Sequence, residues 1–197
     1  MSNTISKDEQ RRIKQVIGFM KNGDYQSSAA EYAYFVRTYS LQVLDFTSRM
    51  VPERSDAEEL AQDAFVKAFR SMPTFRFQSS FLTWVSRIAY HESLNHLKRK
   101  RAYWVNIDDV NLPDDEGLDA ELSTCREERI QLMEEAIDEL PPDERMLIHL
   151  YYYQDKPLRE IAFIMDTKPK ALATRLHRIR KKLLFTINNR ENETSRR

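Results

Sequence analysis

Residues 56–101 read DAEELAQDAFVKAFRSMPTFRFQSSFLTWVSRIAYHESLNHLKRKR, and three different pieces are joined there. In the first, Ala57, Leu60, Ala61, Ala64, Phe65, Ala68 and Phe69 recur at i, i+3, i+4 and i+7, the signature of a half-buried helix. Ser55 is the N-cap candidate and Glu58, three residues on, completes a capping box. The outer face of that helix is acidic. The second piece is a loop, PTFRFQSSF, in which aromatics alternate with hydroxyl, amide and guanidinium groups. The third is a helix from about Ser80 to Arg101 with Phe81, Val85, Ile88 and Ala89 on its core side. It runs out in the basic cluster Lys98-Arg99-Lys100-Arg101. An acidic helix, an aromatic loop and a basic helix suit a device that holds a protein and a nucleic-acid strand together.

The flanking sequence completes an all-α protein of two small helical domains. Three glycines in the whole chain, and little alternation of β-branched residues, leave no case for a sheet. A first helix is expected over Lys7–Lys21, stopped by Asn22-Gly23, with Gly23 in the left-handed position past its end. A second covers about Ser28–Val51, before Pro52. With the two helices of the opening stretch, these make a four-helix domain over residues 1–101. Residues 102–126 change character: Asp108, Asp109, Pro113, Asp114, Asp115, Glu116 and Gly117 read as a solvated acidic linker. A linker of that length reaches at most ~80–90 Å. That span separates two DNA-bound domains by two helical turns at ~34–36 Å each. Helical periodicity returns at Ile130, Met133, Ile137 and Leu140, opening a second domain over 127–197. Pro141-Pro142 breaks it, and a helix over Asp143–Tyr153 follows, built on Met146, Leu147 and Leu150. The last residues, NNRENETSRR, are expected to fray.

Composition excludes several function classes. Net charge is zero, with 31 basic and 31 acidic residues, which taken alone argues against a nucleic-acid binder. The charges are segregated, however: Ala102–Glu135 is crowded with acids, and Asp166–Arg190 sets Asp166 alone against a run of Lys and Arg. A single cysteine, Cys125, allows no internal disulfide and favours a cytoplasmic setting. No apolar run approaches the ~20 residues of a membrane span, so no direct membrane insertion is expected. There is no glycine-rich phosphate loop and no metal-ligand spacing: His91 and His96 face different sides of a helix. No cofactor and no catalytic set are expected, and a helical hydrolase is disfavoured because the carboxylates cluster in a linker without helical spacing.

Near the C-terminus, Leu158–Met165, a turn at Asp166–Pro169 and a helix from Lys170 to about Ile187 have helix-turn-helix proportions. In the second helix Leu172, Leu176, Ile179 and Leu183 form a core seam. Lys170, Thr174, His177 and Lys181 fall on the opposite face with Arg178 beside them, placed to enter a major groove. Arg175 and Lys182 lie on the flank and suit phosphates. In the loop, Arg76, Phe77, Gln78, Ser79 and Ser80 suit a splayed-out single-stranded base, which wants stacking and edge hydrogen bonds. Phe81 and Phe75 read instead as anchors to the core. In the following helix Arg87, His91, Asn95 and Lys98 share the side away from the core, and Asn95 can read an adenine edge bidentately. Trp84 borders both faces.

Taken together, DAEELAQDAFVKAF, FRFQSSFLTWVSRIAY and REIAFIMDTKPKALATRLHRIRKKL resemble a bacterial RNA polymerase sigma factor of the extracytoplasmic-function type. The resemblance covers roughly Gln15–Arg101 and Arg129–Leu183. It implies a region 2 domain and a region 4 domain. Asp56, Glu59, Gln62, Asp63 and Lys67 match the segment that docks on the clamp helices of core RNA polymerase, through its β′ and β subunits. Phe75–Ser80 matches the pocket for a flipped non-template base of the −10 element, and Arg87, His91, Asn95 and Lys98 match the helix that reads and melts it. Arg159, Lys170, Thr174, Arg175, His177, Arg178 and Lys181 match the reader of duplex −35 DNA. The acidic linker resembles the segment that threads toward the polymerase channels. An anti-sigma factor, often a membrane protein in this family, is implied as well. Three departures from the pattern stand out: His91 where the family often has Asn, Asp166-Thr167 where it usually has Gly-Ile, and Ala173 where it often has Lys.

The physics then predicts a protein without covalent chemistry of its own. Two modest basic patches in a neutral chain bind DNA weakly alone. Polymerase fixes their separation, and the two contacts act through effective concentration. The competing expectation is a stand-alone helix-turn-helix regulator with an N-terminal sensing domain.

Overall fold

The computed structural model describes residues 5–101 and 126–194, and among them there are helices and no strands. The acidic linker falls almost wholly outside the described residues. In order, the helices are α1 (Lys7–Lys21), α2 (Tyr25–Met50), α3 (Arg54–Ser71), α4 (Phe81–Arg101), α5 (Arg126–Asp138), α6 (Pro142–Ile148), α7 (Leu158–Ile164) and α8 (Pro169–Thr194). A 3₁₀ turn, Met72–Thr74, leads into the loop before α4, and a π-helical stretch, His149–Tyr153, extends α6.

α1 starts where Ser6 accepts a hydrogen bond from the Glu9 amide and stops at Asn22, with Gly23 at φ 76°. That left-handed residue is the one position here where the turn requires a glycine. α2 begins earlier than the periodicity implies, because Asp24 caps it through the Ser27 amide at 3.0 Å. α3 departs from expectation at its start. Ser55 lies inside the helix, the N-cap is Glu53 without a side-chain bond, and Glu58 pairs with Arg54 at 2.9 Å instead of closing a capping box. With Arg54 recruited by an i, i+4 ion pair, the first turn no longer needs the serine.

The first four helices enclose an aromatic core. Phe35 and Phe81 lie fully buried with ring centroids 4.4 Å apart, and Tyr32, Tyr39 and Trp84 pack around Phe81. Hydrogen bonds lock the helices at chosen heights. Ser28 Oγ donates to the Val16 carbonyl, Tyr32 Oη to the Phe65 carbonyl and Thr47 Oγ1 to the Ala57 carbonyl. Burial pushes the Tyr32 phenol well above its ordinary range, so it stays a neutral donor.

The last four helices are held by Met146, Leu147, Leu150, Ile161, Ile164, Leu172 and Leu176, all buried. The helix expected over Asp143–Tyr153 is α-helical only to Ile148. It then widens to a π turn that ends at Tyr153, with the Gln154 amide donating to the His149 carbonyl at 3.1 Å and Asp155 at φ 47° just beyond. Widening the turn keeps Leu150 in the core and leaves Tyr152 and Tyr153 exposed. Ile130 and Met133 of α5 are exposed too, while Ala136 and Leu140 are buried. α8 runs two turns past the expected end at Ile187, because Ile187 is buried and Arg190 reaches back to Glu135 of α5 and to Glu139 just past it.

The two helical units pack against each other, α4 on α7 and α2 on α6, and a single apolar cluster runs through both. Polar ties cross the boundary: Thr83 Oγ1 donates to Glu160 Oε1 at 2.8 Å, and Arg145 Nε donates to the Arg49 carbonyl at 3.3 Å.

Candidate nucleic-acid interface

The loop before α4 is held at both ends and raised in the middle. On one side, Thr74 Oγ1 donates to the Ser71 carbonyl at 2.7 Å. On the other, Ser80 Oγ accepts from the Thr83 amide at 3.1 Å and caps α4. The Phe81 amide is also taken, by Glu9 Oε1 of α1 at 2.9 Å. Phe75 is buried against Trp84, with centroids 5.0 Å apart. Between these anchors Phe77 adopts φ 57°, unusual for an aromatic residue and held only where its surroundings over-determine it. Its ring is half-buried, edge-on to Phe75 at 5.1 Å, with Lys14 Nζ 5.9 Å from its centroid.

Of the loop residues singled out from sequence, Arg76 and Gln78 are exposed and Phe77 is half-buried. These three form the accessible rim. Ser79 is buried and Ser80 is spent on capping. Trp84 is half-buried and packs on Phe75 and Phe81.

Along α4, Asn95 and Lys98 are exposed and His91 is half-buried beside the Tyr90 ring. Arg87 is engaged elsewhere. Its Nη2 lies 2.6 Å from Asp166 Oδ1, its Nη1 donates to the Phe163 carbonyl at 3.0 Å, and its guanidinium sits 4.9 Å from the Phe163 ring centroid. The first residue of the α4 stripe is thus covered by the second unit.

The acidic set on α3 divides in two. Glu59, Gln62 and Asp63 are exposed. Asp56 is tied to α4 by Lys100 Nζ at 2.6 Å and His96 Nε2 at 3.0 Å, and the Lys100 ammonium holds its carboxyl below the usual carboxylate range. Lys67 is paired with Glu92. Beside the exposed row runs an apolar groove of about 600 Å³ between α2 and α3, lined by residues that include Val36, Leu44, Gln62, Val66 and Phe69. The α2 side of that groove was not legible as functional. Leu41 nearby on α2, 80% exposed, is the signal that this helix carries more apolar surface than its core uses.

In the helix-turn-helix, Leu172, Leu176 and Ile179 are buried, and Lys170, Thr174, His177 and Arg178 are exposed on α8. Arg159 on α7 is exposed and Lys181 half-exposed. Arg175 is ion-paired with Asp143, and Lys182 stands 3.7 Å from Glu144, so the flank is tied to α6. Asp166 takes φ 52° in the turn after α7. The backbone there asks for the left-handed region, which explains why Gly is the usual occupant and why Asp, one of the residues that tolerates it, can replace it. Among the described residues no group of three His, Cys, Asp or Glu could hold a metal ion. Nor is any described helix long and apolar enough to cross a membrane.

The two halves match two family models: Sigma-70 region 2 over residues 35–103 and Sigma-70, region 4 over residues 130–183. The chain belongs to the sigma-70 family. It is 30% identical over 181 residues to the ECF RNA polymerase sigma-E factor of Escherichia coli, covering 87% of this chain and 92% of that relative. It is 28% identical over 189 residues to the ECF RNA polymerase sigma factor SigW of Bacillus subtilis, covering 88% and 93%. In fold it is similar to the sigma factor RpoE of Bartonella quintana, solved with the anti-sigma factor NepR: TM-score 0.58, 18% identity, 80% of this chain and 97% of that one. The chain is thus an RNA polymerase sigma factor of the extracytoplasmic-function group, and it serves transcription initiation. Helices α1 and the first part of α2 precede the matched segments, yet Glu9 of α1 holds the start of α4. The sequence signal was an acid in apolar register, four residues before buried Ile13 and seven before buried Val16.

Proposed function

We propose that this sigma factor divides promoter recognition among three surfaces. The exposed row Glu59, Gln62 and Asp63, supported by Asp56 and Lys67 and by the groove beside it, docks on core polymerase. The rim of Arg76, Phe77 and Gln78, with Ser79 and Ser80 behind it, captures a flipped −10 base, and the α4 side chains Arg87, His91, Asn95 and Lys98 hold the separated strand. α8 reads duplex −35 DNA through Lys170, Thr174, His177, Arg178 and Lys181, with Arg159 and Arg175 on phosphates. Residues 1–101 and 127–197 act as the two domains and 102–126 as the acidic linker. The protein works in the cytoplasm and catalyses nothing itself, since RNA synthesis belongs to the polymerase. Bartonella RpoE was solved with an anti-sigma factor, and a partner of that kind is expected to hold this chain inactive.

The observation that carries this reading is the loop with Phe77 at φ 57°, raised between anchored Phe75 and Phe81 on the unit that also presents Glu59, Gln62 and Asp63. The engagement of Arg87 by Asp166 adds a condition: with α4 packed on α7, the −10 surface is partly covered, and the units must separate for it to work. In vitro transcription with core polymerase over a promoter library, paired with gel shifts, tests the reading. Promoter-specific transcripts and weak duplex binding without core are expected. Specific affinity near ~10⁻⁹ M for the protein alone would favour a stand-alone regulator.

A further inference from the structure

On α1, Lys7, Arg11, Lys14, Gly18 and Lys21 follow one another at +4, +3, +4 and +3, so they form one stripe along the helix. At 1.5 Å per residue the stripe is about 21 Å long. Its basic residues are all exposed. Arg11 is ion-paired with Asp8 at 2.5 Å, while Lys7, Lys14 and Lys21 have no carboxylate partner among the described residues. A shallow open trough of about 400 Å³ lies on the stripe, lined by Lys7, Gln10, Arg11, Lys14 and Gln15. Further along, a Cβ added at Gly18 would meet nothing within 4 Å, so the helix surface between Lys14 and Lys21 is open.

The stripe is registered on the loop. Glu9, on the inner side of the same helix, accepts from the Phe81 amide at 2.9 Å, and α1 packs on the 3₁₀ turn Met72–Thr74. Lys14 Nζ, midway along the stripe, lies 5.9 Å from the Phe77 ring centroid. Positive charges with amide donors between them, fixed next to an aromatic rim, have the composition of a single-strand path: a cationic track for phosphates beside a stacking platform.

We propose that α1 is a third nucleic-acid contact of this chain, holding the phosphates of the single strand that leaves the loop on the side away from α4. The inference rests on the reading of Phe75–Ser80 as the base-capturing loop. α4 takes the strand on one side of the captured base and α1 takes it on the other, with Glu9 keeping the two helices in register across the loop.

The test uses holoenzyme assembled from the full chain and core polymerase, with fork-junction DNA whose single strand either ends at the captured base or continues past it on either side. The variant Lys7→Gln/Lys14→Gln/Lys21→Gln is compared with the natural chain, with circular dichroism as a check on folding. Each phosphate neutralised on a single strand contributes about 0.7 to the dependence of log affinity on log salt, so removing three lysines lowers the slope by about 2. The expected result is that this drop, with weaker binding, appears only when one particular flank is present. Unchanged affinity and slope with both flanks would overturn the proposal. So would an equal penalty on every DNA, or weaker assembly with core in the absence of DNA, which would make the stripe a protein contact. Phe77→Ala run in parallel separates the two readings. If it weakens binding to all three DNAs while the lysine variant changes none, the loop reading stands and the α1 path falls. If Phe77→Ala changes nothing, the loop reading falls and takes the strand placement with it.

Discussion

Asp166→Asn should shift the free protein toward the open form without disturbing either helical unit. The charge on Asp166 holds Arg87 across the boundary at 2.6 Å, with side-chain exposures of 59% and 31%. A pair that accessible is worth about 0.2–1 kcal/mol, which is a ~1.4- to 5-fold change in the ratio of closed to open chains. Asn keeps the backbone, because it also tolerates the left-handed conformation that Asp166 occupies at φ 52°. Arg87→Ala would be a poorer probe, since it removes a proposed DNA contact together with the latch. A second step is Glu160→Gln. Glu160 is buried and accepts from Thr83 across the boundary and from Lys156 within its own unit. Hydrogen bonds to a charged group are worth about 1.5–3 kcal/mol, and a neutral amide retains only part of that. The two sites are close enough to couple, so a combined effect of roughly tenfold is expected rather than a simple product. The assay is single-molecule energy transfer between dyes at exposed positions 70 and 173, with Cys125 replaced by Ser, alongside anisotropy with a single-stranded −10 oligonucleotide. The open fraction and the oligonucleotide affinity of the free protein should rise together, and transcription by the holoenzyme should change little. If both variants leave the dye distance and the affinity where they were, the packing of α4 on α7 is not what masks the −10 surface.

Asp63→Ala removes an exposed carboxylate from the proposed docking row and should weaken assembly with core polymerase by more than about 1 kcal/mol, roughly fivefold, if that residue is an energetic anchor. Co-purification at the natural level would count against it, and promoter-independent properties such as melting temperature should not move. Lys170→Ala with Lys181→Ala should lower the salt dependence of duplex −35 binding by about 0.9 for each phosphate no longer neutralised, leaving single-strand −10 binding intact. Equal weakening on both DNAs would contradict the division of labour. Glu9→Gln concerns stability and pH. Burial pushes the Glu9 carboxyl above its ordinary value of 4.5, against the opposing pull of the Phe81 amide. The folded chain therefore binds that proton more tightly than the unfolded one. The stability this contributes is complete below pH 4.5 and is lost as pH rises through the folded value. Gln keeps an acceptor for the Phe81 amide and has no proton to lose. The variant should gain stability relative to the natural chain as pH rises from 4.5 in thermal melts, and a constant difference across that range would refute the assignment.

What could be read from residues alone was what local rules decide. The end of α1 followed from Asn22 and Gly23, and the α8 seam from the spacing of Leu172, Leu176 and Ile179. Phe75 and Phe81 were readable as anchors because large aromatics in a Gly-poor helical chain have few other places to go. The start of α3 was misplaced because an Arg54–Glu58 ion pair competes with a serine cap, and the two are close in energy. The extension of α8 to Thr194 was missed because it depends on Glu139 and Glu135, some fifty residues earlier. Periodicity carries no information about such partners. The same applies to Arg87, whose helix face follows from periodicity and whose occupant, Asp166, comes from the other unit.

That shared residue is where the arrangement becomes mechanism. If Arg87 holds the separated strand as proposed, it cannot satisfy Asp166 at the same time, so closure and −10 engagement compete for one guanidinium. The ion pair itself is accessible and contributes at most about 1 kcal/mol, while the Phe163 carbonyl and ring hold the same guanidinium as well. A weak latch suits a protein whose two DNA contacts are meant to act only when a third body sets their spacing. Polymerase must also part the apolar cluster that runs through both units, and once it holds them apart effective concentration favours each contact when the other is made. The buried Thr83–Glu160 bond adds to the apolar packing between the units, and it lies one helical turn from Ser80, which caps α4 at the edge of the loop. Opening the units therefore releases Thr83, whose amide Ser80 caps, from Glu160 in the same step that frees Arg87.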